Sequence, residues 1–213
     1  YDEARVAQTN PSINLIASYN KSFGKFNAKI QAGYHQQENA NKTLSVKGEK
    51  FLVRDFQSIS NCDITTLVSK TNDYKRRLQA ISGSLELSYN NMAFLTFRAR
   101  NDWSSTLPTN ANSYFYAGLN GAVLLTDAIP SLKDGNILNF AKLRVAWGQT
   151  GNDAPVYRTY GNYIPTNIGL GFGNLNMPIG RELGISLSNL EGNSDLKPEI
   201  TTDIEFGADL KFF

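Results

Sequence analysis

The stretch that decides the fold is EITTDIEFGADLKF, residues 199–212, in which polar and apolar side chains alternate. Residues of one parity become almost wholly apolar after Thr202: Ile204, Phe206, Ala208, Leu210 and Phe212. Residues of the other parity include the carboxylates Asp203 and Glu205. Strict alternation indicates an extended strand with one apolar and one polar face. Its length, near the ~10 residues of a tilted membrane strand, predicts a stave of a transmembrane β-barrel.

The same alternation recurs in six earlier segments of the chain. They are Ser12–Asn20, Lys25–Gln36, Ile81–Asn90, Met92–Trp103, Ser113–Leu125 and Ala141–Gly148. The sequence therefore predicts an all-β fold, an antiparallel transmembrane β-barrel segment of about seven strands. Because bacterial barrels close with even strand numbers, the remaining staves are expected to come from outside this chain.

The predicted connections differ in length. Short turns follow Asn20, Asn90 and Leu125, whereas long loops are predicted at 37–76 and 150–198. Short turns on one rim and long loops on the other are typical of outer-membrane barrels, with the long loops outside. We therefore expect both long loops to be external.

Composition excludes several classes of function. With 21 Lys and Arg against 19 Asp and Glu, the net charge of +2 gives no broad basic field for nucleic acid. The single His35 and the single Cys62 exclude two-histidine zinc motifs and an internal disulfide. The nearest cluster of acids, Glu191, Asp195 and Glu199, belongs to a Gly/Asn-rich stretch that fixes no distance between carboxylates. We expect no enzymatic activity, no metal and no cofactor.

Three groups of residues are candidates for contact sites. Charged residues on the polar strand faces are candidates for lining a lumen, either along a solute path or as braces: Arg98, Arg100, Asp102, Lys142, Arg144, Asp203 and Glu205. Four loop aromatics are candidates for ligand or lid contact, with packing within the loop as the alternative: Tyr157, Tyr160, Tyr163 and Phe172. The run Lys75-Arg76-Arg77 suits either anionic lipid headgroups or a solvated loop base.

Three short motifs resemble one family. They are Arg100-Asn101-Asp102-Trp103-Ser104-Ser105 with Leu107-Pro108, Lys142-Leu143-Arg144 through Gly148-Gln149-Thr150-Gly151-Asn152-Asp153, and Asn193 through Asp195-Leu196-Lys197-Pro198-Glu199. In order and spacing they are similar to the SusC/RagA family of TonB-dependent outer-membrane transporters. The resemblance extends over nearly the whole chain.

The resemblance implies a barrel of roughly 22 strands with a plug domain in its lumen, in the outer membrane of a Gram-negative bacterium. It also implies a SusD-like surface lipoprotein that traps oligosaccharide or peptide, and energy supplied through TonB. Residues 1–213 would then be a partial barrel domain. We expect the signal peptide, the plug and the TonB-binding segment to lie outside it, since the chain begins at Tyr1 without a basic and apolar leader.

Two alternatives remain at this point. A soluble β-sandwich that binds glycans would also contain alternating strands, but sandwich strands usually run ~5 to 6 residues and several here approach twice that length. A plugless porin or adhesin barrel would share the strand pattern with a transporter.

Overall fold

The computed structural model describes residues 1–132, 138–165, 168–170, 173–175 and 184–212. It confirms the predicted fold class, because the main body is one antiparallel sheet of eight strands. These strands are β1 (Asp2–Thr9), β2 (Ser12–Phe23), β3 (Phe26–Lys47), β4 (Val68–Tyr89), β5 (Ala93–Ser104), β6 (Ser113–Leu124), β7 (Leu138–Asn152) and β12 (Glu199–Phe212).

The eight strands occupy seven positions in the sheet. Both β1 and β2 pair with β3, β1 along residues 40–47 and β2 along residues 26–37. They form one stave interrupted at Asn10 and Pro11, where proline has no N–H to give to the ladder. The carbonyl of Pro11 still accepts a bond of 3.0 Å from the Glu38 N–H. From this stave the order is β3, β4, β5, β6, β7 and β12, with each strand beside its neighbour.

The loop predicted at 37–76 is wrong in its bounds. Strand β3 continues to Lys47 and β4 begins at Val68, so the connection shrinks to residues 48–67. The two strands stay in register from Phe26↔Tyr89 to Lys47↔Val68. Apolar alternation stops near Gln36, but backbone pairing does not depend on it, because the N–H and C=O groups alone make the ladder.

The shortened connection is an ordered tip. It contains the 3₁₀ turns Ile59–Asn61 and Ile64–Thr66. The buried Asn61 amide donates to the carbonyls of Val53 and Phe56, at 2.7 and 2.6 Å, and its oxygen accepts from the Val53 N–H at 2.9 Å. The Asn61 side chain thus holds the backbone at Val53 and Phe56, on the opposite side of the loop.

The described part of the long connection before β12 includes four short strands. They are β8 (Tyr163–Pro165), β9 (Ile168–Leu170), β10 (Gly173–Leu175) and β11 (Ile185–Leu187), paired as β8 with β11 and β9 with β10. Near β6, the helix α1 (Leu125–Ala128) and the 3₁₀ turn Pro130–Leu132 begin the passage to β7. None of the helical segments in the described part of the chain has the length and apolarity of a membrane span.

The register keeps apolar residues on one face across the whole sheet. One transverse row reads Tyr19, Ile30, Leu85, Phe97, Leu119, Trp147 and Ile204. This face is uncovered, with Phe206 as much as 83% exposed. A β-sandwich needs a second sheet packed against it. Among the described residues no such layer exists, since the other two sheets are two-stranded pairs of three residues each.

Candidate functional site

The seven charged candidates lie on the polar face of the sheet, opposite the apolar rows. Across the strands, Arg98 aligns with Gly118, Gly148 and Asp203, while Glu205 aligns with Ala146. Further along, Arg144 is opposite Gly207 and Lys142 is opposite Asp209. Glycine and alanine separate the charged side chains in the transverse direction. The polar face is therefore shallow in its middle, between Arg98 and Asp203.

Two of the seven form a direct pair within one strand. The guanidinium of Arg100 donates to the carboxylate of Asp102 at 2.6 and 3.4 Å. The Tyr116 hydroxyl on the neighbouring strand donates to the same carboxylate at 3.2 Å. Because Asp102 is buried, these donors replace its lost water.

A second pair joins neighbouring strands at the other end of the sheet. The Arg144 side chain lies over Gly207, where a Cβ atom would collide with it, and reaches Asp209 at 3.7 Å. Both charged groups are half exposed, so the pair contributes little to stability by itself. No ion pair within the described residues involves Arg98, Lys142, Asp203 or Glu205.

The most connected polar group on this face, Asp153, is absent from the sequence prediction. Its carboxylate accepts two bonds of 2.8 Å from the Arg76 guanidinium, one on each oxygen. It also accepts a bond from the Ser104 hydroxyl and one of 3.1 Å from the Thr106 hydroxyl. With its side chain only 6% exposed, Asp153 ties the end of β7 to β4 and to the end of β5. We call Asp153, Arg76, Ser104 and Thr106 the Asp153 network.

The electrostatics of Asp153 follow from burial and these donors together. Burial raises its pKa, but the bonds from Arg76, Ser104 and Thr106 lower it by more, so the pKa of Asp153 lies below its ordinary value. The group is a buried carboxylate that stays ionised at neutral pH. Such an arrangement suits a structural clamp, since both carboxylate oxygens of Asp153 have hydrogen-bond partners.

The sequence contains a signal for this network in its motifs, although the alternation of polar and apolar residues does not reveal it. Ser104 and Asp153 belong to two of the motifs that carry the family resemblance. Strand pairing alone does not predict their meeting, because β6 lies between β5 and β7. Arg76 was grouped with Lys75 and Arg77 as a surface cluster. The structure instead turns Arg76 to the polar face, where it binds Asp153.

The predicted loop aromatics do not form a visible cluster. Tyr157, Tyr160 and Tyr163 are exposed, and no ring contact joins them among the described residues. Phe172 lies outside the described residues. No group of three or more His, Cys, Asp or Glu side chains in the described ranges is placed to hold a metal ion.

Comparison with known proteins gives similarity along the length of the chain. No family model matches. TonB-dependent receptor P3 of Formosa agariphila is 26% identical over 209 residues, which cover 96% of this chain and 20% of the receptor. Among solved structures, the RagAB peptide importer in its 'closed-closed' state matches 100% of this chain and 22% of that chain, at 18% identity and a TM-score of 0.84. Its 'open-open' state matches the same shares at a TM-score of 0.79.

The chain spans about a fifth of the length of the curated relative and of these solved chains. The matched part of the solved chains has the same fold as the seven-stave sheet described above. The resemblance that the three sequence motifs predicted is therefore confirmed as a resemblance: the chain is similar in sequence to a TonB-dependent receptor and shares its fold with part of the RagAB importer chains.

Proposed function

We propose that the chain forms part of the barrel wall of an outer-membrane importer driven through TonB. The observation that carries this proposal is the single sheet of seven staves with one apolar face that nothing in the described residues covers. In water such a face would aggregate. In a bilayer it is the expected surface, since a spanning sheet places apolar side chains toward lipid and polar ones toward the lumen.

The two edges of the sheet support an origin in a larger barrel. The β1/β2 stave and β12 each pair on one side only among the described residues. Unpaired strand edges are not tolerated in lipid, so the full-length protein supplies the staves that continue the ladder. Tip 48–67 and connection 153–198 lie on the extracellular side in this proposal, and the short turns near Gly24 and Asn91 on the periplasmic side.

The polar face is proposed to border the lumen and to brace it. The carboxylates of Asp102 and Asp153 accept hydrogen bonds from arginines of the same sheet, so their role in this proposal is to stabilise the wall. Arg98 and Asp203, which form no ion pair within the described residues, flank a strip in which Gly118 and Gly148 leave room for another backbone to approach. A plug surface or a passing solute with polar groups fits this strip.

The cargo is proposed to be an oligosaccharide or a peptide, delivered beneath a SusD-like lipoprotein. The family resemblance supports this, and RagAB, which shares the fold, is described as a peptide importer. The exposed Tyr157, Tyr160 and Tyr163 on the external connection suit contact with cargo or lid. Transport of this kind needs no catalytic group. We therefore assign no enzymatic role to the chain.

The membrane placement is tested by accessibility of nitroxide labels in the full-length protein that contains this chain. Single cysteines are placed along β5 from Phe94 to Ala99, in a Cys62→Ser background, and the protein is reconstituted in lipid vesicles. We expect high oxygen accessibility at Leu95 and Phe97 and high accessibility to a water-soluble nickel complex at Thr96 and Arg98. A profile without this period of two would overturn the proposal.

Import itself is tested in the source bacterium. Deletion of the full-length gene should abolish growth on the oligosaccharide or peptide that the neighbouring genes serve, and the intact gene should restore it. A version whose N-terminal TonB-contacting segment is removed should assemble in the outer membrane without restoring growth. Equal restoration by both versions would show that transport does not depend on TonB.

A further inference from the structure

The run Lys75-Arg76-Arg77 is split by strand geometry. On β4, Arg76 faces the polar side and is bound by Asp153. Lys75 and Arg77 face the opposite side, which is the side of the apolar rows. Two of the three cations thus stand on the outer surface of the wall, and they have no part in the Asp153 network.

Both outer cations converge on one carboxylate. Glu38, which is opposite Arg77 on β3, accepts from the Lys75 ammonium at 2.7 Å on one oxygen and from the Arg77 guanidinium at 2.9 Å on the other. The cluster of Glu38, Lys75 and Arg77 therefore carries a net charge of +1. The two cations remain about half exposed, at 56% and 52% of their side chains. Each keeps N–H groups that Glu38 does not use.

This cluster stands at a defined height on the wall. On β3 the unbroken run of outward apolar residues ends at Tyr34, whose hydroxyl donates to Gln36 at 2.8 Å, and only Ala40, Leu44 and Val46 are apolar on this face further along. Glu38 is the outward residue after Gln36. On β4 the corresponding steps are Ile81, Gln79 and Arg77, with Trp103 beside Gln79. Along both strands, toward the tip, the outward side chains are therefore first apolar, then an amphipathic aromatic or an amide, and then charged.

The distances agree with bilayer dimensions. Glu38 lies two residues beyond Gln36, which is about 7 Å along a strand and about 5 Å along the membrane normal at a usual barrel tilt. The polar headgroup region is about 5–8 Å deep on each side of the hydrocarbon. The cations are therefore at the level where lipid phosphates lie.

We propose that Lys75 and Arg77, both bound by Glu38, bind the phosphate of an anionic lipid headgroup on the extracellular side of the wall. Glu38 fixes two long side chains that would otherwise lose conformational entropy on binding. Lysine and arginine then offer their remaining donors to the phosphate oxygens. This inference rests on the membrane placement in the proposed function.

The test uses the full-length protein in nanodiscs of equimolar phosphatidylglycerol and phosphatidylcholine, with the lipids retained on the ejected protein counted by native mass spectrometry. We expect the wild type to retain phosphatidylglycerol over phosphatidylcholine by about fivefold, as one uncompensated charge near a lipid surface predicts. The double variant K75Q/R77Q should lose this preference. The control K47Q/K70Q removes the same charge from the opposite face of the same strands and should keep it.

The possible results separate the two proposals. Equal lipid preference in K75Q/R77Q and wild type, with both proteins folded, overturns the lipid site and leaves the importer intact. Stabilisation of the wild type by inorganic phosphate alone, to the same extent as by phosphatidylglycerol, would assign the cluster to a soluble anion and overturn the lipid site. A full-length protein that remains monodisperse without detergent would overturn the membrane placement itself.

Discussion

The two halves of the β3–β4 hairpin share one ladder and differ in the face they turn outward. From Phe26 to Tyr34 the outward residues of β3 are apolar or aromatic, and from Gln36 to Lys42 they are mostly polar or charged. Hydrogen-bonded pairing continues unchanged through both halves. The backbone therefore decides that these segments are strands. The outward side chains decide which solvent, lipid or water, each half meets.

The first prediction tests this comparison by placing a charge on the apolar outward face of the sheet. Phe97→Lys, on the row with Leu85 and Leu119, should destabilise the full-length protein by roughly 2–4 kcal/mol, because the ammonium must enter hydrocarbon. Thr96→Lys, one residue away on the polar face, should cost little. Refolding into lipid vesicles across a denaturant series measures both. Similar losses in the two variants would mean that the faces are not in different solvents.

This comparison also explains how much could be predicted from the sequence. All seven stave positions were predicted, because each contains a stretch in which lipid-type alternation makes the strand visible. The upper parts of β3 and β4 and the whole of β1 were missed, since apolar residues such as Val6, Leu44 and Val46 are too few there to give an unbroken alternation, and the composition resembles that of a loop. Alternation of polar and apolar residues identifies a strand when one face meets an apolar environment. It does not identify a strand whose two faces both meet water.

The candidate site shows the same limit. Arg98, Arg100, Asp102 and the other charged candidates were assigned to the polar face by parity alone, and the register places them there. Asp153 was missed because it follows the last residue of β7 and because its partner Arg76 comes from a non-adjacent strand. Parity predicts a face, whereas contact across a strand depends on twist and side-chain length.

The second prediction concerns the place where connection 153–198 leaves the wall. Asp153→Asn leaves the Arg76 guanidinium, only 28% exposed, without its bidentate acceptor and should cost roughly 1–3 kcal/mol. The base of the connection should loosen, so limited trypsin digestion of the full-length protein should cut faster after Arg158. Asp195→Asn, an exposed position in the same connection, is the matched control. Unchanged cleavage in D153N would show that the network does not anchor the connection.

The third prediction sharpens the contrast between the end of β7 and its middle. At Gly151 an added Cβ would lie 2.6 Å from the ring of Tyr114, whereas at Gly148 it would meet nothing within 4 Å. Gly151→Ala should therefore destabilise the protein by roughly 1–3 kcal/mol through overpacking. Gly148→Ala should be close to neutral. Denaturant midpoints in detergent provide the measurement, and equal midpoints would contradict the close packing of Tyr114 on the end of β7.

The smallest expected effect is the pH dependence of the Asp153 network. Because its folded pKa lies below the ordinary value of 3.8, the stability that Asp153 contributes is present above that ordinary value and is lost as pH falls through the folded pKa. The difference in denaturant midpoint between wild type and D153N should stay constant from about pH 8 to about pH 5 and should shrink only at pH values below about 4. A difference that already changes near neutral pH would require another titrating group in the network. That result would remove Asp153 as the fixed charge on which the base of the connection depends.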